Sequence, residues 1–518
     1  MGMAKGNPSR ASGSSPAGRI PFPAIVEEIR AHLPAGEAYL VGGAVRDSLL
    51  GRPSSDIDII LRGDGLQAAK SVASALGAAF YPLDSQRGIG RVILIRGTSA
   101  PEARPAMRYT LDFASLRAPT IREDLEARDF TANAIAVPLA DPELMIDPLG
   151  GERDVRGGIL RVCSPHAVAD DPVRAIRAIR LATQLGFRVE KETKEQVRAG
   201  APLLRKVSAE RVRDEFFRIL AGKKVGAAIH SLEALGMLRV ILPETVGLAE
   251  TRPPPPQRHN IWEHTLRTLE CLEALVDLLA GSPDRERAPD LMLGLARDRL
   301  RRFQPALEEH LTRPLSDERS ARGLLFLAAI LHDAAKPETE TIDAAGQIHY
   351  LGHEQMGAEW AFRRAAALRF SNEEVQYISQ IVRNHMRPLL LQSGGPVTRR
   401  AVFRFFRATG PSGVAVCIFF LADTLATFGP ELPPEKWQSA VEMAHSLLEG
   451  YFERAEELIR PTPLLSGDDL IRRFGLAPGP HIGELLDALR EAQAAGEVTS
   501  MGEAVTLIER GLGRKDSS

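Results

Sequence analysis

Two periodicities divide the chain. Between about Ile20 and Asp147 the runs AYLVGG, DIDIILR, RVILIRG and RYTLDFAS alternate apolar and polar residues as half-buried strands do, and the stretches between them carry the longer period of amphipathic helices. The mixture predicts an α/β head. After Asp147 the strand period almost vanishes. Residues 170–250 read as helices with short breaks, down to TRPPPPQRHN, whose four prolines cannot continue a helix and mark a boundary. A second helical block runs from about His259 to Phe428, with a charged stretch at 284–322 that reads as an insertion or a solvated helix pair. GPELPPEKW makes another break, and the last 85 or so residues read as amphipathic helices with a charged, frayed end. The first 20 residues, rich in Gly, Ser, Pro and Ala, predict a disordered tail. The expected divisions are 1–20, a head at 21–150, and helical segments at 151–252, 253–430 and 431–518, with no internal repeat.

Composition narrows the function classes. The 518 residues are 44% hydrophobic and 25% charged, ordinary for soluble globular protein. A formal net charge of -2 gives no global positive field, so any nucleic-acid surface must be a local patch. Cys163, Cys271 and Cys417 lie far apart, which argues against a disulfide framework or a thiolate zinc site and for a reducing compartment. No run approaches the roughly 18 to 20 uninterrupted apolar residues of a membrane span, and no apolar signal core opens the chain. The expectation is a cytoplasmic protein without a membrane partner.

The chemistry concentrates first in YLVGGAVRDSLLGRPSSDIDIILRG, residues 39–63. On a strand, Asp56 and Asp58 point the same way while the isoleucines serve the core. Such a carboxylate pair suits Mg²⁺, which keeps its remaining positions for water and substrate phosphates. Gly42 and Gly43 directly precede an apolar-periodic helix, so backbone N–H groups face an incoming anion, and a triphosphate fits there.

GGAVRDSLLG followed by DIDI resembles the head signature of the class II tRNA nucleotidyltransferases and bacterial poly(A) polymerases, of the polymerase-β-type nucleotidyltransferase superfamily. The resemblance continues over about 185 residues. DLEARDFTANAIAV (124–137) is similar to the family's ribose-reading element, DPLGGERDVRGGILR (147–161) to its interdomain hinge, DDPVRAIRAIRLATQLGF (170–187) to its base-reading helix and SAERVRDEFFRIL (208–220) to its neck helix. It implies a small mixed sheet in the head, followed by an all-α neck and tail. It also implies that Asp56 and Asp58 bind the catalytic Mg²⁺ ions and that Gly42, Gly43 and Arg46 hold the triphosphate. Arg128, Asp129 and Asn133 would handle the sugar and phosphates, and Asp171 and Arg174 would present hydrogen-bonding edges to the base, so that side chains rather than a template select the nucleotide. Arg177 reads either as a further nucleotide contact or as a helix-pair salt bridge. Two departures stand out: Ala127 precedes Arg128 where the family usually has a second arginine, and the base-reading helix opens Asp170-Asp171 rather than Glu-Asp. Asp112 in RYTLDFAS reads as a third catalytic carboxylate or as a solvated strand residue. The implied reaction is attack of an RNA 3′-hydroxyl on the α-phosphorus of CTP or ATP with pyrophosphate leaving. From Arg174 to Lys224 the chain has 14 Lys and Arg against 6 Asp and Glu, a patch where an RNA backbone could lie.

A second constellation lies downstream: His264, His332, Asp333, Lys336, His353, His385 and Asp423. Imidazole with carboxylate suits Mn²⁺, Co²⁺, Ni²⁺ or Fe²⁺ better than a thiolate set does. The ordered set, over about 255–430, resembles the HD phosphohydrolase domain. That resemblance implies a metal, one of these ions or Mg²⁺, on His264, His332, Asp333 and Asp423, with Lys336, His353 and His385 holding a phosphate or a second ion. The expected function is a template-independent enzyme that builds the CCA end of tRNA from CTP and ATP, carrying an added phosphohydrolase. An A-adding enzyme or poly(A) polymerase is the alternative, DSQRGIGRV (84–92) being one head segment on which that choice could depend. From another class, an HD hydrolase with a nucleotide-sensing head remains.

Overall fold

The computed structural model describes residues 22–33, 38–52, 54–96, 107–279, 291–316, 319–392 and 395–513. The expected tail at 1–20, part of the charged 284–322 stretch and the final residues 514–518 lie outside these. The chain forms two compact units, Met1–Gly200 and Ala201–Ser518. The division falls within the expected 151–252 segment, and the proline run at 253–256 lies inside the second unit.

The first unit is built on a mixed sheet. Its strands are β1 (Ala38–Val41), β2 (Asp56–Leu61), β3 (Ala79–Asp84), β4 (Ile89–Arg96), β5 (Met107–Ser115) and β6 (Ala136–Pro138), in the order β3-β4-β5-β2-β1-β6. Only β2 and β5 run parallel; the other pairs are antiparallel. Register decides what each face carries. Ile57 pairs with Leu111 and Leu111 with Val92, a buried row across three strands. One residue along, Asp58 pairs with Asp112 and Asp112 with Arg91, which lines three charged residues up on the opposite face.

Short helices flank the sheet, one of them covering the apolar face. Between β1 and β2 lies α1 (Gly43–Leu49), and after β2 comes α2 (Gly65–Leu76), which opens on Asp64, whose carboxylate accepts from the Leu66 and Gln67 amides. α2 buries Ala69, Val72 and Ala73 against β4 and β5. The segment 84–92 is the turn between β3 and β4 with its flanking residues. Further along, α3 (Val173–Leu185) buries Val173, Ile176 and Ile179 and ends at Gly186, whose positive φ of 74° a glycine adopts without strain.

The second unit is mainly helical. It contains α4 (Ile261–Leu279), α5 (Ala321–Leu331), α6 (His353–Ala367), α7 (Asn372–Asn384), α8 (Arg387–Gln392), α9 (Arg399–Thr409), α10 (Gly413–Phe428) and, in its C-terminal part, α11 (Pro480–Ala495). α4 packs on α10, α6 on α7, and α5 between α4 and α7. α5 and α10 are apolar nearly all round, as helices enclosed by neighbours are. The run 399–431 is long and apolar enough to span a membrane, but 78% of its most apolar window is buried inside the protein, which makes it core.

The expected all-α character needs one correction. Two hairpin ribbons occur in this unit, pairing 314–316 with 319–320 and 340–342 with 348–350. The second closes over Asp343, whose carboxylate accepts from the Ala345 and Gln347 amides, with Gly346 at φ 77°. Strands this short leave no period for the sequence to show. The C-terminal helices keep a small core of their own around Leu465, Leu470, Leu489 and Ile508. α11 docks on α9 through Arg400 and Arg404 to Glu491 and Arg407 to Asp487.

Candidate active sites

In the first unit the chain turns at Gly42, where φ is 70°, before entering α1. A Cβ there would lie 2.9 Å from Asp58 Oδ2 and 3.4 Å from Arg128 Nη1. Glycine thus lets the backbone, a carboxylate and a guanidinium meet at one point. Gly42→Ala is expected to push the Asp58 carboxylate aside and lower single-turnover nucleotide incorporation about 100-fold, the usual cost of a 1 Å misplacement. Unchanged incorporation in that assay would mean that Asp58 does not act from this position.

Asp56 and Asp58 share a face of β2, and both keep access to solvent. The protein packed around Asp58, followed by the charge of Asp112, raises its carboxyl to about 6; Asp56 adds to this, while Arg128 and Arg46 oppose it. Such crowding of carboxylates is what a divalent cation relieves. Asp112 is not simply solvated: Arg91 donates from Nε and Nη2 to its two oxygens, at 2.8 and 2.9 Å. The third carboxylate therefore faces the site already paired. Sequence reasoning misses Arg91, because pairing it with Asp112 requires the β4–β5 register.

Behind this row, five side chains form one hydrogen-bonded series. Arg46 donates to both oxygens of Asp47, at 2.7 and 2.9 Å, and to Asn133 Oδ1 at 2.7 Å. Asn133 donates to Asp129 Oδ1 at 3.2 Å, and Arg177 Nη1 to Asp129 Oδ2 at 3.0 Å. Burial works to raise the Asp129 carboxyl, but Arg177, Asn133 and the Phe130 amide overcome it and hold it below the usual range. The series alters three expectations. Arg46 is buried with its fork committed to Asp47 and Asn133, so in this conformation it holds Asn133, a residue expected at the sugar, rather than reaching for a triphosphate. Arg177 takes the salt-bridge alternative. Arg174 donates to the carbonyls of Ala127, Arg128 and Ala167, each at 3.3 Å, and lies 3.9 Å from Asp171, so its fork is also committed to protein oxygens. Cys163 lies beside this series, its thiol within the fields of Asp129, Arg174 and Arg128, and burial pushes it up to about 12.

The second unit gathers all seven HD residues, and within the expected ligand set His332 Nε2 lies 3.1 Å from Asp333 Oδ2. His264, His332 and Asp423 form one set with ligand atoms within 4.8 Å of one another; Asp333, His353 and His385 form another. Helix packing explains the convergence: His264 lies in α4 and Asp423 in α10, His332 follows α5, His353 opens α6 and His385 follows α7. Three of the rings are oriented from behind. The Nδ1 atoms of His332, His353 and His385 hydrogen-bond the carbonyls of Ala329, Tyr350 and Val382, at 2.8, 2.6 and 2.7 Å, which turns each Nε2 inward. His264 Nε2 lies 2.9 Å from Asp423 Oδ1.

Electrostatics fit a cation. Burial opposes charge on Asp333, yet His332 and Lys336, whose Nζ lies 2.6 Å away, hold it well below the usual range. Burial and the neighbouring His332 and His353 push His385 down to about 3, leaving it neutral as a ligand must be. His332 Nε2 and Asp333 Oδ2 are buried without a hydrogen bond of good geometry. Both atoms take part in close ion pairs instead, His332 Nε2 at 3.1 Å and Lys336 Nζ at 2.6 Å from Asp333 Oδ2, and imidazole nitrogens and carboxylate oxygens converging in one buried cluster form a donor set that suits a divalent cation. Lys336 lies against Asp333, and the Asp333, His353 and His385 group is one that the second-ion alternative for these residues requires.

Comparison with known proteins gives the same domain order. Residues 38–161 match the family "Poly A polymerase head domain", 186–248 "Probable RNA and SrmB- binding site of polymerase A" and 261–427 "HD domain". The chain is 33% identical over 482 residues to the A-adding tRNA nucleotidyltransferase of Deinococcus radiodurans, covering 91% of this chain and 95% of the relative. It is 32% identical over 486 residues to the CC-adding tRNA nucleotidyltransferase of Geobacter sulfurreducens, covering 93% and 94%. Among solved structures, a CCA-adding enzyme in complex with ATP superposes with a TM-score of 0.58 at 22% identity, over 94% of this chain and 95% of that one. The Thermotoga maritima CCA-adding enzyme complexed with tRNA gives 0.53 at 21%, over 95% and 97%.

Proposed function

Because the chain belongs to the tRNA nucleotidyltransferase family, we propose that it extends tRNA 3′ ends without a nucleic-acid template, building the CCA end from CTP and ATP. The observation that carries this is the row of Asp58 and Asp112 on adjacent parallel strands, with Asp56 on the same face and the Gly42 backbone against Asp58. Asp56 and Asp58 would hold Mg²⁺, whose chemistry when bound is to neutralise the α-phosphate and lower the proton affinity of the 3′-hydroxyl. The Gly42–Gly43 backbone leaves room for the triphosphate. Arg128, beside Gly42 and Asp58, supplies positive charge where negative charge builds up, and Arg91 restrains Asp112. Asn133 and Asp129, fixed by Arg46 and Arg177, orient the sugar, and Asp171 meets the base. In the first unit, exposed Arg188, Lys191, Lys194 and Arg198 would meet an RNA backbone. In this reading the enzyme works in the cytoplasm.

The HD centre is read as a phosphohydrolase that removes phosphates or opens 2′,3′-cyclic phosphates at RNA ends, with Mn²⁺, Co²⁺, Ni²⁺, Fe²⁺ or Mg²⁺ bound. His264, His332 and Asp423 would hold one ion and Asp333, His353 and His385 a second. What such ions supply when bound is an activated water and a polarised phosphoryl oxygen.

A second reading, division of labour, has support of its own: relatives matching over 90% of this chain are named for adding CC or A alone. One assay separates the two. The purified protein with Mg²⁺ receives tRNA ending before the CCA, and tRNA already ending in CC, with CTP, ATP or both. Two C residues then one A support the CCA reading; stopping after CC, or using ATP only on the CC-ended substrate, replaces it with the corresponding partial activity.

A further inference from the structure

The sheet face that carries Asp56 and Asp58 continues well beyond them. Asp112 pairs across the sheet with Arg91, and Arg91 pairs with Tyr81 of the edge strand β3, so one row runs Asp58, Asp112, Arg91, Tyr81. At the usual spacing of strands, Tyr81 stands about 14 Å from Asp58. A second row runs Asp56, Thr110, Ile93, Ala79, and one step further Ile95 faces Arg108. Helix α2 lies on the other side of the sheet: a Cβ at Gly90, next to Arg91, would lie 2.7 Å from Ala69 Cβ. The face with the two rows is therefore open at β3 and β4, and it is neither wholly polar nor acidic. Tyr81 is 53% exposed and Ile95 63%. Among the described residues the Tyr81 hydroxyl has no hydrogen bond, and the exposed Arg108 has no ion pair. Pro82 withholds an N–H from the edge, which disfavours pairing of β3 with a second copy of the chain.

The two sides of the carboxylate pair are unlike. Toward β1 lie the Gly42 turn, Arg128 and the hydrogen-bonded series from Arg46 to Asp129, where the proposed function puts the triphosphate and sugar. In-line displacement brings the attacking oxygen in opposite the leaving pyrophosphate. The RNA 3′ end then approaches from the β5 side, over the open face. We propose that the RNA strand runs from Asp58 across β5, β4 and β3, with Tyr81 stacked on a base that precedes the terminal nucleotide and Arg108 on a backbone phosphate. An aromatic ring accepts the face of any base, which suits a strand whose last bases change as it is extended. The inference rests on the nucleotidyltransferase reading of the head and names residues that position its RNA.

The test compares the full chain with Tyr81→Ser and Tyr81→Phe, changes at an exposed side chain. The probe is tRNA ending in a single C, with 2-aminopurine, a base whose fluorescence stacking quenches, as the unpaired base before that C. With Mg²⁺ and no nucleotide present, the wild type and Tyr81→Phe should quench it, and Tyr81→Ser should not. In single-nucleotide addition, Tyr81→Ser should raise KM for tRNA about tenfold or more, with kcat and the KM for CTP or ATP near wild type, and Tyr81→Phe should restore it. Arg108→Gln should make the log–log salt dependence of RNA binding shallower by about 0.7, the value of one lost single-strand phosphate contact. Equal quenching by all three proteins, or a Tyr81→Ser loss confined to kcat, overturns the proposal. A wild type that is dimeric where Tyr81→Ser is monomeric also overturns it and gives the face to a second copy. Quenching that follows the ring in a protein that adds no nucleotide upholds the RNA track and removes the nucleotidyl-transfer reading instead.

Discussion

Asp58→Asn, alone or with Asp56→Asn, is expected to cut incorporation of CTP and ATP by about 1,000-fold or more while leaving the chain folded. The cation that these carboxylates would hold is worth several kcal/mol of transition-state stabilisation, and each 1.36 kcal/mol is tenfold in rate. The asparagine is also a clean substitution. The folded protein raises the Asp58 carboxyl to about 6 from its ordinary 3.8, so its ionised form opposes folding when pH exceeds 6 and no metal is present. The Asp58→Asn change removes that opposition, and the metal-free variant should melt no lower than wild type at pH 7.5. The advantage should vanish as pH falls toward 3.8, where wild-type Asp58 is protonated in the folded state and increasingly so in the unfolded one. The same shift predicts that wild-type incorporation falls by about tenfold per unit as pH drops below 6, with a midpoint that moves lower as Mg²⁺ rises, because proton and cation compete for one carboxylate. Single-turnover primer extension at several pH values and Mg²⁺ concentrations checks all of this. Incorporation that persists in the double variant would remove Asp56 and Asp58 from the reaction.

His332→Ala with Asp333→Ala should abolish bound divalent metal in the second unit and reduce phosphohydrolysis by about 1,000-fold or more, while nucleotide incorporation by the head survives. Elemental analysis of purified protein, with both activities assayed on one preparation, reads the result. One complication is physical: without Asp333, Lys336 is left buried with no counter-charge, which costs about 3–5 kcal/mol. His264→Ala with Asp423→Asn therefore serves as the companion variant, since it dismantles the other ligand set and leaves the Asp333–Lys336 pair intact. Metal retained in both variants would contradict the ligand assignment; incorporation lost in the companion would show that the two activities are not separable.

The sequence carries a good deal of this, for reasons that differ by element. Alternation in DIDII places Asp56 and Asp58 on one face, because a two-residue period leaves them no other choice. The ordered His and Asp set predicts a metal centre, and all seven residues do converge. The pairing within each site is not legible. Whether Asp112 meets Arg91, whether Arg46 reaches a phosphate or Asn133, and whether Asp333 groups with His264 or with His353 depend on strand register and helix packing, which one sequence does not encode locally. Arginine is the recurrent case. The motifs point Arg46, Arg174 and Arg177 toward the nucleotide, and each is engaged with protein oxygens, since a guanidinium withdrawn from water, wholly or in part, must satisfy its donors whatever else it does. The proline run at 253–256 punctuates the chain as expected, without dividing one compact unit from another.

Among the sixteen residues of α10, GVAVCIFFLADTLATF, Asp423 is the only charged one. While the polypeptide is still being made and has no core to enter, this is a strongly greasy segment, and its single acid is what an insertion machinery would count against it, at about 2.5–3.5 kcal/mol near the middle of a bilayer. The residue that would serve the metal in the finished fold would therefore also, during synthesis, disfavour passage of the segment into lipid.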